Sequence, residues 1–351
     1  MVSNCAGEAL HARRSGSPAR ETVGQFFALR GARFEIAPAK HTLAGWVRRP
    51  RAGRRSRRQR NVNLYRAWQT ASRIYRHEGA GALLRAIYND LNPFDKAFRP
   101  NEARIVFELL GGSKVAGTMV DVGAHTGGSL RRFLEHGWNV IAFEPDTHNR
   151  RFLLERFGTM PNLKVDVRAL DEKPGENAAL YRSSQSSGIS GLNSFHASHH
   201  DAERVTVTTL AEALPQISSE IDVIDFLKID TEGLDLCVLR GLDWSKQVPR
   251  VVLCEFEDSK SQIRGYAYQD LCQFLLDKSY QLVICEWQPI THYGRQHDFT
   301  GFYTFPHQLT KPLAWGNVIA VSEPSLYPRL CEICASLHPA SHRHLATGAH
   351  L

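Results

Sequence analysis

Residues 118–128 read Thr-Met-Val-Asp-Val-Gly-Ala-His-Thr-Gly-Gly, and residues 139–145 read Asn-Val-Ile-Ala-Phe-Glu-Pro. Each opens with a short apolar run, which suits a strand buried on both faces better than a helix. Between them Gly127 to His136 reads as a helix. Asp146 is a candidate N-cap for a helix through Arg156, and Leu163 to Val167 is a third strand. Leu180 to Leu210 begins rich in Ser, Gly and His and ends alternating as VTVTTL, which reads as an inserted hairpin with a long polar loop. Strand Val223 to Ile229, helix Leu234 to Leu239, strand Val251 to Phe256, helix Tyr268 to Asp277 and strand Gln281 to Cys285 continue the series. Phe302 to Phe305 and Asn317 to Val321 are further strand candidates. The fold class is α/β, a mostly parallel sheet with helices on both faces.

In open sheets of this kind ligands bind at the carboxyl ends of the strands. Glycines after Asp121 let the backbone turn tightly and come close to a ligand, with a helix following. Glu144 ends the second strand, twenty-three residues after Asp121, where a carboxylate suits the two hydroxyls of a ribose. A dinucleotide would call for G-x-G-x-x-G, whereas Gly123 onward reads G-A-H-T-G-G and lacks the second glycine that admits a pyrophosphate. Asp121 would repel phosphate and suits a cationic ligand. S-adenosylmethionine carries a sulfonium and an ammonium, so it is favoured over NAD.

VDVGAHTG, VIAFEPDTHN and FLKIDTEGLDLCVLRGL together resemble the three landmarks of the FkbM-type methyltransferases, over roughly Val115 to Val321. The resemblance implies the class I methyltransferase fold, Rossmann-like, with a seven-stranded sheet ending in an antiparallel strand. It also implies S-adenosyl-L-methionine-dependent O-methylation of sugar hydroxyls in glycolipids or polysaccharides, or of other natural products. The motif positions put Asp121, Gly123, Ala124 and Gly127 at the methionine moiety and Glu144 at the ribose, with Asp166 to Asp171 near the adenine. His125 stands where the family pattern has Asn, and Leu234-Asp235 where it has Ala-Glu.

Methyl transfer to an alcohol needs alignment, removal of the hydroxyl proton and exclusion of water. Lys228-Ile-Asp-Thr-Glu232 ends the fourth strand at the ligand edge, and its alternation puts Lys228, Asp230 and Glu232 on one side. Asp230 is the first candidate for a base or hydroxyl anchor and Glu232 the second. Lys228 would tune or orient either carboxylate. The competing structural expectation is a Lys228–Glu232 ion pair at the helix start. Asp230, Glu232 and Glu255 could also gather a divalent cation, although no metal ligand is assigned from the sequence. His196, His199 and His200 lie in the polar loop. The acceptor is expected to enter over Ser183 to His200 and over Trp287 to Trp315, where aromatic faces suit sugar rings.

The chain has 351 residues and a formal charge of +7. Residues 1–70 hold 15 Lys or Arg and 3 Asp or Glu, which leaves the remainder net negative. Residues 1–60 therefore read as a disordered basic leader, with 48–60 offering at most a weak contact to an anionic membrane. Residues 61–112 read as a helical extension, 113–322 as the methyltransferase domain and 323–351 as a His-rich tail. No integral membrane segment and no secretory signal are read. Seven cysteines, most of them inside apolar runs, suit free thiols in a reducing, cytoplasmic setting. Cys331-x-x-Cys334 with the histidines after it is half of a zinc pattern, but its spacing is too short and a second pair is missing. The acceptor is expected to be a small molecule or a glycan. A nucleic-acid methyltransferase using the leader and a non-catalytic nucleoside-binding scaffold are the alternatives. Net negative charge outside the leader and KIDTEG at the fourth strand count against nucleic acid.

Overall fold

Alternation along the central strands builds both faces of the sheet at once. In β1 (Thr118–Val122) Met119 joins Val140 and Ala142 of β2 (Asn139–Phe143) and Phe226 of β7 (Phe226–Ile229) in the core on one face. Val120 and Val122 join Ile141, Phe143, Leu227 and Ile229 in the core on the other. A side-chain period of two with apolar residues at nearly every position produces this two-sided burial. The computed structural model describes residues 99–218, 223–291, 293 and 297–345. The leader, its 48–60 segment and the helices expected before residue 99 lie outside them, as does His292.

The main sheet runs β3 (Leu163–Asp166), β2, β1, β7, β8 (Val251–Phe256), β11 (Trp315–Val321), β9 (Gln281–Trp287), β10 (Phe299–Thr304). The first five are parallel. β11 is antiparallel to β8 and β9 on either side of it. The sheet has eight strands where seven were expected. The extra one is β10, an edge strand that folds back antiparallel on β9. Its Phe302 is fully buried and its Tyr303 ring meets His344, so the edge is covered from the C-terminal side.

One face is covered by α1 (Glu102–Leu109), α2 (Arg131–Glu135), α3 (Thr147–Phe157) and α8 (Leu326–Leu337). The other carries α4 (Leu210–Ile217), α5 (Asp235–Arg240) and α7 (Tyr268–Asp277). Asp146 caps α3 as expected, accepting from the His148 and Asn149 backbone N–H groups at 2.8 and 3.1 Å. The helix expected from Gly127 begins only at Arg131, because Gly127 takes φ +79° and the preceding residues form turns. The inserted hairpin is present as β5 (Gly175–Ser183) and β6 (His199–Thr208), joined by β4 (Ala169–Leu170) in a separate three-stranded sheet. In α8, Tyr327, Leu330 and Cys334 are buried in the same core as α1, so this helix is an integral layer. No helix among the described residues is long and apolar enough to cross a membrane.

Sheet register sets Asp121 directly across from Lys228. Both are buried, and the ammonium lies 3.1 Å from Asp121 Oδ1. Removing one partner of a buried pair strands the other charge, at a cost of about 3–5 kcal/mol. Lys228→Met should therefore lower unfolding stability by about that amount in urea titration. A loss under about 1 kcal/mol would show that the pair does not hold the centre of the sheet.

Candidate functional site

The turn after β1 is possible only with glycine at its first position. Gly123 takes φ +76°, and a Cβ there would sit 1.9 Å from the Asp230 carbonyl oxygen, so any side chain would force β1 and β7 apart. The turn is then tied to β2. Gly123 and Ala124 donate to the Phe143 carbonyl, and the His125 N–H donates to Glu144 Oε2 at 2.6 Å. Glu144 Oε1 accepts from the Asp146 N–H at 2.9 Å. Burial pushes the Glu144 carboxyl up to about 8, against the pull of these two N–H groups. His125 itself takes φ +50°, a conformation that Asn, the family residue, adopts more readily than most residues do.

Gly123 and Glu144 line a cleft at the carboxyl ends of β1, β2 and β7, with about 790 Å³ of space that includes its open mouth. Three other positions assigned to the cofactor from the sequence do not line it. Ala124 and Gly127 are packed beneath the turn, Gly127 against Phe157 and Leu153. Asp121 is fully buried, taking Lys228 on Oδ1 and the Ser129 hydroxyl on Oδ2 at 2.5 Å. Its carboxylate is thus engaged within the protein, behind the residues that line the cleft. Lys228 also stays behind the cleft wall. Burial alone would lower its ammonium, but Asp121 and Asp230 outweigh that and hold it above the usual lysine range. The expected Lys228–Glu232 pair does not form. Lys228 pairs instead with Asp230, at 3.4 Å.

Asp230 and Glu232 both line the cleft from the β7 side. Asp230 is the more open, with 41% of its side chain exposed. Glu232 is buried and adopts φ +57°, a left-handed conformation that costs a non-glycine residue on the order of 1 kcal/mol. Its carboxylate meets Lys260, at 2.5 Å. Burial raises the Glu232 carboxyl to about 7, with Lys260 opposing the shift. Asp235 is fully buried and clamps the strand ends, accepting from the Thr231 hydroxyl at 3.0 Å and from the Glu255 N–H at 3.0 Å. Asp230, Glu232 and Glu255 come within 4.8 Å of one another, while Lys260 touches two of the three. His196 and His199 fold back against Ser198 and the Ile189 carbonyl, and none of the three loop histidines lines the cleft. Cys334 is core, and His338 bonds Ser341.

The remaining lining suits a nucleoside. Val122, Phe143, Leu170, Leu180 and Leu192 give flat apolar contact, and Ser187, Ser190 and Arg168 add polar edges. Asp166 holds Arg168 in a bidentate pair and does not itself line the cleft. Asn149, given no role in the sequence reading, supplies the clearest sign of a missing partner. It lines the cleft beside Glu144, its amide donates to the Ser187 carbonyl at 3.3 Å, and its buried Oδ1 accepts nothing. A ligand hydroxyl or amine would complete it. Two acceptors, Glu144 and Asn149 Oδ1, over an apolar slot fit an S-adenosyl group. In the sequence Asn149 is the last residue of the VIAFEPDTHN stretch and the third after an N-cap, and neither place by itself marks it as a ligand contact.

None of the curated proteins compared matches the chain. Among solved structures, the precorrin-6Y C5,15-methyltransferase of Geobacter metallireducens is 10% identical, over 66% of this chain and 95% of its own, with TM-score 0.33. A SAM-dependent O-methyltransferase of Thermotoga maritima is 11% identical, over 63% and 64%, with TM-score 0.33. The fibrillarin of Aeropyrum pernix, in complex with S-adenosyl-L-methionine, is 11% identical, over 57% and 65%, with TM-score 0.31. Residues 121–282 match the methyltransferase FkbM domain, and the span takes in Gly123, Glu144, Asn149, Asp230, Glu232 and Lys260. Over that span, a little under half of the chain, the sequence is similar to FkbM methyltransferase domains, and the protein is an S-adenosylmethionine-dependent methyltransferase.

Proposed function

We propose that the protein transfers the methyl group to a hydroxyl of a sugar, in a glycolipid, polysaccharide or related natural product. The observation that carries this reading is the pair of carboxylates, Asp230 and Glu232, on the cleft wall opposite Glu144. A hydroxyl must lose a proton as its oxygen takes the methyl group, and carboxylates placed there can orient it and receive that proton. S-adenosylmethionine, when bound, supplies an electrophilic methyl group on a sulfonium. Gly123 lets the backbone approach it, while Glu144 and Asn149 accept from the ribose or from a neighbouring donor. Asp230 anchors the acceptor hydroxyl, its own carboxylate steadied by Lys228. Trp315, half-buried, stacks at 5.6 Å on the buried Trp287 and meets His297 edge-on, and its ring is the aromatic face offered to an acceptor sugar. A cytoplasmic setting belongs to the same reading, since five of the six described cysteines are buried free thiols.

The test is transfer of labelled methyl from S-adenosylmethionine to a panel of glycans, neutral sugars and nucleic acids. Incorporation into sugar hydroxyls supports the reading, and incorporation into nucleic acid alone would overturn it. Two substitutions separate binding from chemistry. Glu144→Ala should weaken S-adenosylmethionine binding by about 10- to 100-fold in calorimetry, the loss of a buried carboxyl that hydrogen-bonds the ligand. Asp230→Asn should keep that affinity and lower kcat by about 100-fold or more. Full activity in Asp230→Asn would mean that Asp230 does not anchor the acceptor.

A further inference from the structure

Lys260 is a lysine in the interior, 2% exposed, with three glutamates around it. Its ammonium lies 2.5 Å from Glu232, 3.2 Å from Glu255 and 2.7 Å from Glu257. Phe195 and Tyr293 place their rings over the same ammonium, at 5.4 and 5.8 Å to the centroids, and close it from solvent. The Tyr293 hydroxyl donates to Glu257 Oε1 at 3.2 Å. Gly233 is what lets the Lys260 backbone come this near: it takes φ +94°, and a Cβ there would lie 2.8 Å from Lys260 Cβ. The left-handed backbone of Glu232, one residue earlier, turns the carboxylate into this cluster while the residue still lines the cleft.

We propose that Lys260 is the positioning residue for proton removal: it holds the Glu232 carboxylate ionised at the cleft wall, where Glu232 takes the proton of the acceptor hydroxyl. This rests on the hydroxyl-methylation reading and divides its labour, with Asp230 anchoring and Glu232 receiving. As the acceptor O–H bond breaks, its proton passes to Glu232. The oxygen forms a bond to the methyl carbon, the carbon–sulfur bond breaks, and its electron pair stays on sulfur as a neutral thioether. The geometry favours Glu232 over Glu255 and Glu257 for this step, because of the three only Glu232 lines the cleft. A lone buried carboxylate would bind a proton too tightly at neutral pH, and two more glutamates beside it would tighten that hold. Lys260 opposes both effects. The groups facing Glu232 are Asp230, with Lys228 behind it, on the β7 end, Glu255 on β8, and Glu257 and Lys260 at α6 (Asp258–Ser261). Tyr293 and the 195–199 loop, which carries His196 and His199, close the outer side.

The experiment is the pH profile of kcat in the full chain, with the acceptor found in the transfer assay, beside calorimetric affinity for S-adenosylmethionine. Loss of the cation in Lys260→Met should move the acid limb, expected at about 7, up by about one pH unit or more and leave cofactor affinity within about threefold. Lys260→Arg keeps the charge and should keep the limb near its place. Glu257→Gln removes a like charge and should move the limb the opposite way, down, which decides the matter even if Lys260→Met does not fold. A limb that stays put in both Lys260→Met and Glu257→Gln, or in Glu257→Gln when the former does not fold, overturns the role of Lys260 alone. A chain that methylates no hydroxyl overturns the hydroxyl reading and this role with it.

Discussion

The ammonium of Lys228, held between Asp121 and Asp230, is the contact on which the centre of the molecule depends. It joins the two middle strands at the edge where the chain must leave the sheet twice, through the Gly123 turn and through the Asp230–Gly233 segment. An acid in the interior is costly unless it is paired, and Asp121 is paired twice, with Lys228 and Ser129. Because these charges are satisfied behind the wall, the turn can remain open to a ligand in front of it. Lys228 Nζ also reaches the Gly123 carbonyl at 3.5 Å, so one side chain touches both exits.

The cleft has two chemically different flanks. On the β2 side Glu144 and Asn149 offer hydrogen-bond acceptors over an apolar floor, suited to a nucleoside. On the β7–β8 side carboxylates outnumber lysines, and each lysine is already committed: Lys228 to Asp121 and Asp230, Lys260 to Glu232, Glu255 and Glu257. In the proposed reaction, binding and proton handling are thereby separated by the width of β1, which is why substitutions on the two flanks should have different consequences. The inserted β5–β6 hairpin brings its loop over both, with Ser187 contacting His125 at 3.1 Å and Phe195 covering Lys260.

The sheet was legible because burial on both faces writes continuous apolar runs, and the turn and Glu144 were legible because glycine and a strand-end acid leave a spacing in the chain. Partners distant in sequence were not legible. Lys260 lies 28 residues beyond Glu232 in an ordinary Asp-Ser-Lys-Ser stretch, and only the parallel β7–β8 pairing brings the two together. Asp121 is a related case: its position next to a glycine turn suggests a ligand contact, while sheet register, which no local pattern reveals, sets it across from Lys228. The eighth strand escaped for a related reason: Phe302 to Phe305 read as a strand, while the strand count was borrowed from the family resemblance.

A structure of the protein bound to S-adenosylhomocysteine tests the central claim most directly, namely that the cleft between the Gly123 turn and Glu144 is the cofactor site and that Asp230 and Glu232 face the reacting end. The expected result is ribose hydroxyls within hydrogen-bond distance of Glu144, a ligand donor on Asn149 Oδ1, and the sulfur turned toward the β7 side. A nucleoside bound elsewhere, or bound in the cleft with Glu144 uninvolved, would contradict it.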